Sequence, residues 1–350
     1  MSRRPAPHPS LTLALCSLVA TVPVAAQWSP LPSRTTVSLR GLSVVDGATV
    51  WASGARGTVL HSADSGATWR VDTIPGARGD DLRAIHAHSA RVAHVAATAG
   101  RIWRTVDGGR TWELRYQSRD TSVFLDALAF WDDQHGLALG DPVDGRFLLL
   151  RTDDGGDTWR ELGPDERPVA MAGEAAFAAS GSSLLLRDEG GARLAWIGTG
   201  GAAARVHRSV SGGRAWVAYD TPIRQGEAAA GIFSLAAVPE GGLVAVGGHY
   251  AQDDSTRGTL ALGDGVGPWR AGAAGVGGYR SGVAFTGLPS GGTVGLAVGP
   301  AGTDLTRDGG AQWTPFDRTG FHAVRASGDG IFYASGSGGR LARFDARAMP

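Results

Sequence analysis

S-A-D-S-G-A-T-W (residues 62–69), T-V-D-G-G-R-T-W (105–112) and T-D-D-G-G-D-T-W (152–159) are three copies of one octapeptide, spaced 43 and then 47 residues apart. Fainter copies end at Trp216, Trp269 and Trp313. The first of these has Ser211 in place of Asp and Ala215 in place of Thr, and the last has Gln312 in place of Thr. Self-similarity at this period means stacked supersecondary units, not a string of unrelated domains.

Outward from each octapeptide the chain has one rhythm. Apolar runs such as 39–45, 50–52 and 58–61 are separated by Gly- and Asp-bearing turns, and another run starts at the Trp. Short β-branched and apolar runs broken in this way predict antiparallel strands. Four strands per period predict a propeller blade, so the fold class is all-β with four-stranded antiparallel blades. Within a blade the octapeptide closes the turn between the third and fourth strands. Asp64, Asp107, Asp154 and Asp308 accept hydrogen bonds from their own turn. Glycine supplies positive φ, and Trp69, Trp112, Trp159 and Trp313 bury large rings against a neighbour. A Ca²⁺ loop is the weaker reading, because the alternating oxygen ligands and terminal Glu are missing.

Residues 320–345 repeat the opening of the unit (F-H-A-V-R-A-S, I-F-Y-A-S, G-R-L-A-R-F-D) and stop where an octapeptide would begin. Residues 27–31, Q-W-S-P-L, resemble the missing fourth strand. The expectation is a seven-bladed ring, residues 27–350, whose last blade is completed by the N-terminal strand, leaving no open edge. Residues 1–26 read as a signal peptide: Arg3 and Arg4, an apolar stretch over 11–24, and a small-residue cleavage site. The protein is therefore expected in the periplasm or secreted, with no transmembrane segment in the mature chain. Cys16, the single cysteine, falls within the leader, so no disulfide is expected.

Basic and acidic residues balance at 33 each, which gives no general case for nucleic acid. Every basic residue is Arg. The absence of Lys excludes Schiff-base chemistry and a Walker-type phosphate loop.

In a propeller the first strands line the central channel. Read this way, their heads are Arg40, Arg83, Asp126, Glu174, Phe233, Arg280 and His322, and the turns on the same face add Arg56, Arg101, Arg146, Arg205 and Arg340. Guanidinium groups suit bidentate capture of carboxylates on a protein partner; the competing reading is solvated Arg paired with nearby acids. The long turn at 249–257, with His249 and Tyr250, falls on that face and suits recognition. A carbohydrate-active propeller, glycoside hydrolase or sialidase-like, is the alternative, with Asp126 and Glu174 as the two carboxylates of a hydrolase. A lectin-like propeller would use exposed Trp131 and Tyr250. His86 and His88 share a strand face near His94, but two same-face His are a poor zinc signature. No metal and no cofactor are expected.

The motif is that of the Asp box of bacterial neuraminidase (BNR) repeats. In an exported seven-unit chain it resembles the Asp-box propellers typified by the photosystem II assembly and stability factors. The likeness spans about residues 28–345, with G-D-P-V-D-G-R-F (140–147), G-E-A-A-F-A-A-S (173–180) and G-G-H-Y (247–250) similar to a bacterial branch. The resemblance implies a non-enzymatic protein that uses an Arg-rich face to hold a membrane reaction-centre subunit, with Arg40, Arg83 and Arg280 placed for that role. Phe233 and His322 depart from the pattern, as do the eroded octapeptides.

Overall fold

The computed structural model describes residues 28–273 and 275–349; the leader, Cys16 and Gln27 lie outside the described residues. Seven antiparallel sheets follow one another along the chain. Blade one is Leu39–Val44, Val50–Gly54, Thr58–Ser62 and Arg70–Thr73. The first strands of blades two to seven are Leu82–Ala87, Leu125–Phe130, Leu184–Glu189, Glu227–Ala237, Gly282–Gly287 and Ala323–Ala326. Successive first strands neighbour one another, and the seventh neighbours the first. The molecule is a seven-bladed β-propeller. Blade five's sheet carries two further two-residue strands, Glu174–Ala175 and Gly200–Gly201.

Blade seven takes three strands from the C-terminal end of the chain and a fourth from Ser29–Leu31. Ser29, Pro30 and Leu31 pair with Arg343, Ala342 and Leu341. Trp28 stands just before this strand, as each octapeptide Trp stands before its fourth strand.

Apolar side chains on the strand faces leave water between blades rather than inside them. Each adjacent pair of blades shares one apolar cluster, including blade seven with blade one. The octapeptide aromatics belong to these seams: Trp69 lies between blades seven and one, Trp159 between two and three, and Trp313 between five and six. Trp28 fills the same place between six and seven.

The octapeptide turn closes as its residue types require. Asp64 accepts the Thr68 amide at 2.9 Å, the Thr68 hydroxyl at 2.6 Å and the Ser62 hydroxyl at 2.8 Å. Asp107 and Asp154 repeat the arrangement, and Asp308 accepts the Gln312 amide at 2.9 Å. Two successive left-handed residues follow each Asp, as at Gly108 (φ 76°) and Gly109 (φ 78°). Eroded copies adapt. Ser211 accepts the Ala215 amide in place of the lost carboxylate, whereas Asp264 closes a tighter turn on the Val266 and Gly267 amides.

Candidate functional site

The channel mouth is built by a repeated irregularity of the backbone. The first strands of blades one, two, three and five slip register between Leu39 and Gly41, Leu82 and Ala84, Leu125 and Ala127, and Ile232 and Ser234. The residues skipped are Arg40, Arg83, Asp126 and Phe233. A bulge leaves one residue outside the ladder and re-aims its side chain. Here all four line the same recess of about 490 Å³, together with Asp141, Phe177, Tyr250, Tyr279 and His322.

Glu174 is not among them, which corrects its placement at the head of blade four. That strand begins at Leu184, and Glu174 sits in the accessory strand beside Gly200–Gly201. It is buried and held by Arg205 (3.1 Å to Nε), His207 (3.3 Å) and the Met171 amide (2.8 Å). Burial opposes its ionisation, but hydrogen bonds from His207, Arg205, Thr199 and Met171 outweigh that and hold its pKa at about 2. A carboxylate so engaged is a structural anion, and Glu174 is not among the residues that line the recess beside Asp126.

The chain between Glu174 and Leu184 crosses the channel instead. Phe177 stacks on Phe233 of blade five at 4.0 Å. The Ala179 carbonyl accepts from Arg40 of blade one at 3.4 Å. The Ser180 hydroxyl donates to the Ser281 carbonyl of blade six at 2.6 Å, and the Ser180 carbonyl accepts from Arg325 of blade seven at 3.0 Å. Gly181 (φ 67°) passes so close to blade two that a Cβ would meet Ala84 at 3.2 Å. Ser182 and Ser234 share a 2.7 Å hydrogen bond. A segment tied to blades one, two, five, six and seven spans the axis. It is a plug that separates the mouth from the far half of the channel.

Above the plug the recess combines aromatic walls with uneven charge. Tyr279 meets Phe233 edge-on at 4.7 Å, and Tyr250, 53% exposed, meets it at 6.2 Å. Arg83 pairs with Asp81 at 2.7 Å. Arg40 makes no close ion pair among the described residues, and its pKa is lowered by burial and then by Arg83. Burial and the cations of Arg40, Arg83 and Arg340 lower the His322 pKa to about 4, so its imidazole is neutral. Asp126 is 1% exposed and neither carboxyl oxygen has a hydrogen-bond partner among the described residues. Burial and neighbouring Asp141 push its pKa well above the usual carboxyl range against the pull of Arg83, which favours its protonated form.

That proton has a thermodynamic consequence. With a folded pKa above the unfolded one, Asp126 stabilises the fold most below about pH 4 and loses that contribution as pH rises. Asp126→Asn should melt above the wild type at pH 8 and close to it at pH 4. A gap that widens toward acid would contradict this.

The remaining arginines do not form a continuous cationic face. Arg280 is 2% exposed and donates to Asp304 through Nε (2.7 Å) and Nη2 (2.6 Å), so it is unavailable to a partner. Arg101 pairs with Asp80, and Arg205 with Glu174. Arg146 donates to the Arg167 carbonyl, Arg340 to the Gly320 carbonyl, and Arg56 is exposed. His249 is buried against Glu227 at 3.2 Å, and Arg224 ties Glu227 and Gln252 together at the base of the long turn. Trp131 is partly buried in a seam and donates to the Leu194 carbonyl, so it offers no exposed aromatic platform. His86, His88 and His94 pack around Phe130 at 5.0, 4.6 and 4.7 Å. No group of three or more metal-ligating side chains is found among the described residues.

The fold and mouth together define a seven-bladed propeller with a plugged channel and an aromatic, arginine-bearing recess. Among solved structures, it is similar to YCF48 bound to a D1 peptide, with 16% identity, a TM-score of 0.61, and coverage of 91% of this chain and 95% of that one. It is likewise similar to YCF48 from Cyanidioschyzon merolae, with 18% identity, a TM-score of 0.62, and coverage of 91% and 99%. At such identities the likeness is one of fold. No family model and no curated sequence matches the chain.

Proposed function

We propose that the protein is an exported, non-enzymatic propeller that holds a segment of a membrane protein complex at its channel mouth, as an assembly or stability factor or an accessory subunit. The observation that carries this is Arg40, a cation with no carboxylate in ion-pair contact among the described residues, set among Phe177, Phe233, Tyr250 and Tyr279. Aromatic side chains and Arg are the groups that anchor protein interfaces. The peptide-bound YCF48 structure supports a protein segment as occupant. The resemblance of the repeats to photosystem II factors supports a photosynthetic reaction centre as the complex. The apolar leader at 11–24 supports a periplasmic setting. In this reading Ser29–Leu31 is the latch that closes the ring and keeps the mouth rigid.

The test is capture of solubilised membranes of the source organism on tagged protein, with Arg40→Glu/Arg83→Glu and exposed Arg56→Glu beside the wild type. Wild type and Arg56→Glu should retain one stoichiometric complex and the double variant should lose it. Equal capture by all three would sink the reading.

A further inference from the structure

Four arginines stand exposed along one sector of the mouth rim, outside the recess. Arg318 is in the link into blade seven, Arg34 in the link from blade seven to blade one, Arg56 in the second-to-third turn of blade one, and Arg78 in the link from blade one to blade two. The links and turns that carry them touch one after another round the rim. Arg340 donates to the Gly320 carbonyl at 2.5 Å, the Gly339 amide to Val37 at 2.7 Å, the Ala55 amide to Ser38 at 3.1 Å and the Gly57 amide to Asp80 at 2.9 Å. None of the four guanidinium groups has a hydrogen bond or ion pair among the described residues. The acids of the sector are engaged, Asp80 with Arg101, Asp81 with Arg83, and Asp317 with the Thr319 amide at 2.6 Å.

The backbone singles out two of the four. Arg34 (φ 58°) and Arg56 (φ 61°) are left-handed, a conformation that costs a residue with a Cβ and that Gly, Asn and Asp adopt most readily. The turn Ala55–Gly57 recurs in blade seven as Ser337–Gly339, where Gly338 (φ 66°) holds the place of Arg56. Arg therefore gives this turn nothing that Gly would not give at lower cost. Strain of this kind marks a position kept for something other than the fold. What each side chain does is hold a cation out in solvent.

The occupant follows from how these cations are arranged. None of the four lines the mouth recess. They stand on separate loops, whereas a protein interface is built around a packed core that excludes water. A flat anionic surface needs no groove. Each arginine adds its own attraction there, and guanidinium forks match phosphate oxygens. The opposite, octapeptide face exposes Asp46, Asp64, Asp264 and Asp308, so a chain of zero net charge is charged unevenly.

We propose that this sector docks the protein on an anionic phospholipid bilayer, with its guanidinium groups on the headgroup phosphates and the octapeptide face turned away. The docking stands whatever the mouth holds, since a bilayer surface needs no protein partner. Arg56→Glu stays neutral in capture from solubilised membranes because detergent removes the bilayer.

The experiment is vesicle flotation of the protein purified as residues 27–350, the ring that Ser29–Leu31 closes. Vesicles are phosphatidylcholine alone or mixed with phosphatidylglycerol, each in low and in high salt. Binding to the mixed vesicles in low salt, and to neither in high salt, is expected. Arg34→Gly/Arg56→Gly should weaken it roughly tenfold or more, the scale of two arginines at a charged bilayer. The same variant should melt no lower than wild type, because Gly relieves both left-handed positions. Arg110→Gln/Arg214→Gln removes the same charge from exposed sites on the octapeptide face and should bind like wild type. Equal binding to pure phosphatidylcholine, an unchanged Gly variant, or an equal loss in the Gln variant would overturn the proposal. So would a Gly variant that melts well below wild type, since that gives Arg34 and Arg56 a structural role. Saturable binding of polyglutamate without vesicle binding would assign the sector to an acidic protein segment and overturn it too.

Discussion

A chain that begins at Arg34 is expected to melt roughly 10 °C below the full protein, given a few degrees per kcal/mol for a domain of this size. Two losses add. The strand Ser29–Leu31 leaves Leu341–Asp345 as an unpaired edge in blade seven. Trp28, 5% exposed, also goes, and with it packing against Phe321 (5.1 Å), Phe344 (6.1 Å) and Phe316 (6.3 Å) and the indole hydrogen bond to Thr303 at 3.1 Å. Removing a buried Trp side chain alone costs about 3–5 kcal/mol. Thermal unfolding of the truncated chain and of Trp28→Ala separates the two: Trp28→Ala should account for most of the drop. A truncated chain that melts with the full protein would mean that the ring is held without this strand.

Asp304→Ala should be as damaging, at about 3–5 kcal/mol, because it strands the Arg280 guanidinium in the protein interior. Arg280 and Asp304 are each 2% exposed, and Asp304 also accepts the Gly277 amide at 3.0 Å. The double change Arg280→Met/Asp304→Leu should recover most of the loss, since apolar pairs of similar volume replace buried ion pairs at little cost. Urea unfolding measures both. A single variant within about 1 kcal/mol of wild type would show that water reaches the pair. This pair also explains why Arg280 cannot serve a partner, although its place at a first-strand head looks equivalent to Arg40 and Arg83.

The repeat made the propeller readable, because each octapeptide encodes its own turn: Asp for the amides, Gly for the left-handed residues, Trp for the seam. Arg40, Arg83 and Asp126 were legible for the same reason, since the repeat assigns them one position. What the sequence could not disclose was the bulge that turns all three inward, or which arginines meet an acid from another strand. Arg205 and Glu174 are far apart in sequence and adjacent in space. Glu174 falls outside the first strand of blade four because the chain runs from Trp69 to Leu82 and from Trp112 to Leu125, but from Trp159 to Leu184. That excess length was the available signal that the segment does something other than enter blade four. It forms the plug, and it brings Phe177 to Phe233 and Ser180 to Arg325. These contacts arise across the ring axis, where no local periodicity reports them.

We propose that a partner sits at the aromatic mouth. Photo-crosslinking from Tyr250→p-benzoylphenylalanine in native membranes tests it most directly, with Val217, 58% exposed on the outer strand of blade four, as the comparison site. The expected result is one discrete adduct with a membrane-complex subunit from position 250 and none from position 217. No adduct from position 250, or the same adduct from both, would contradict a partner seated at the channel mouth.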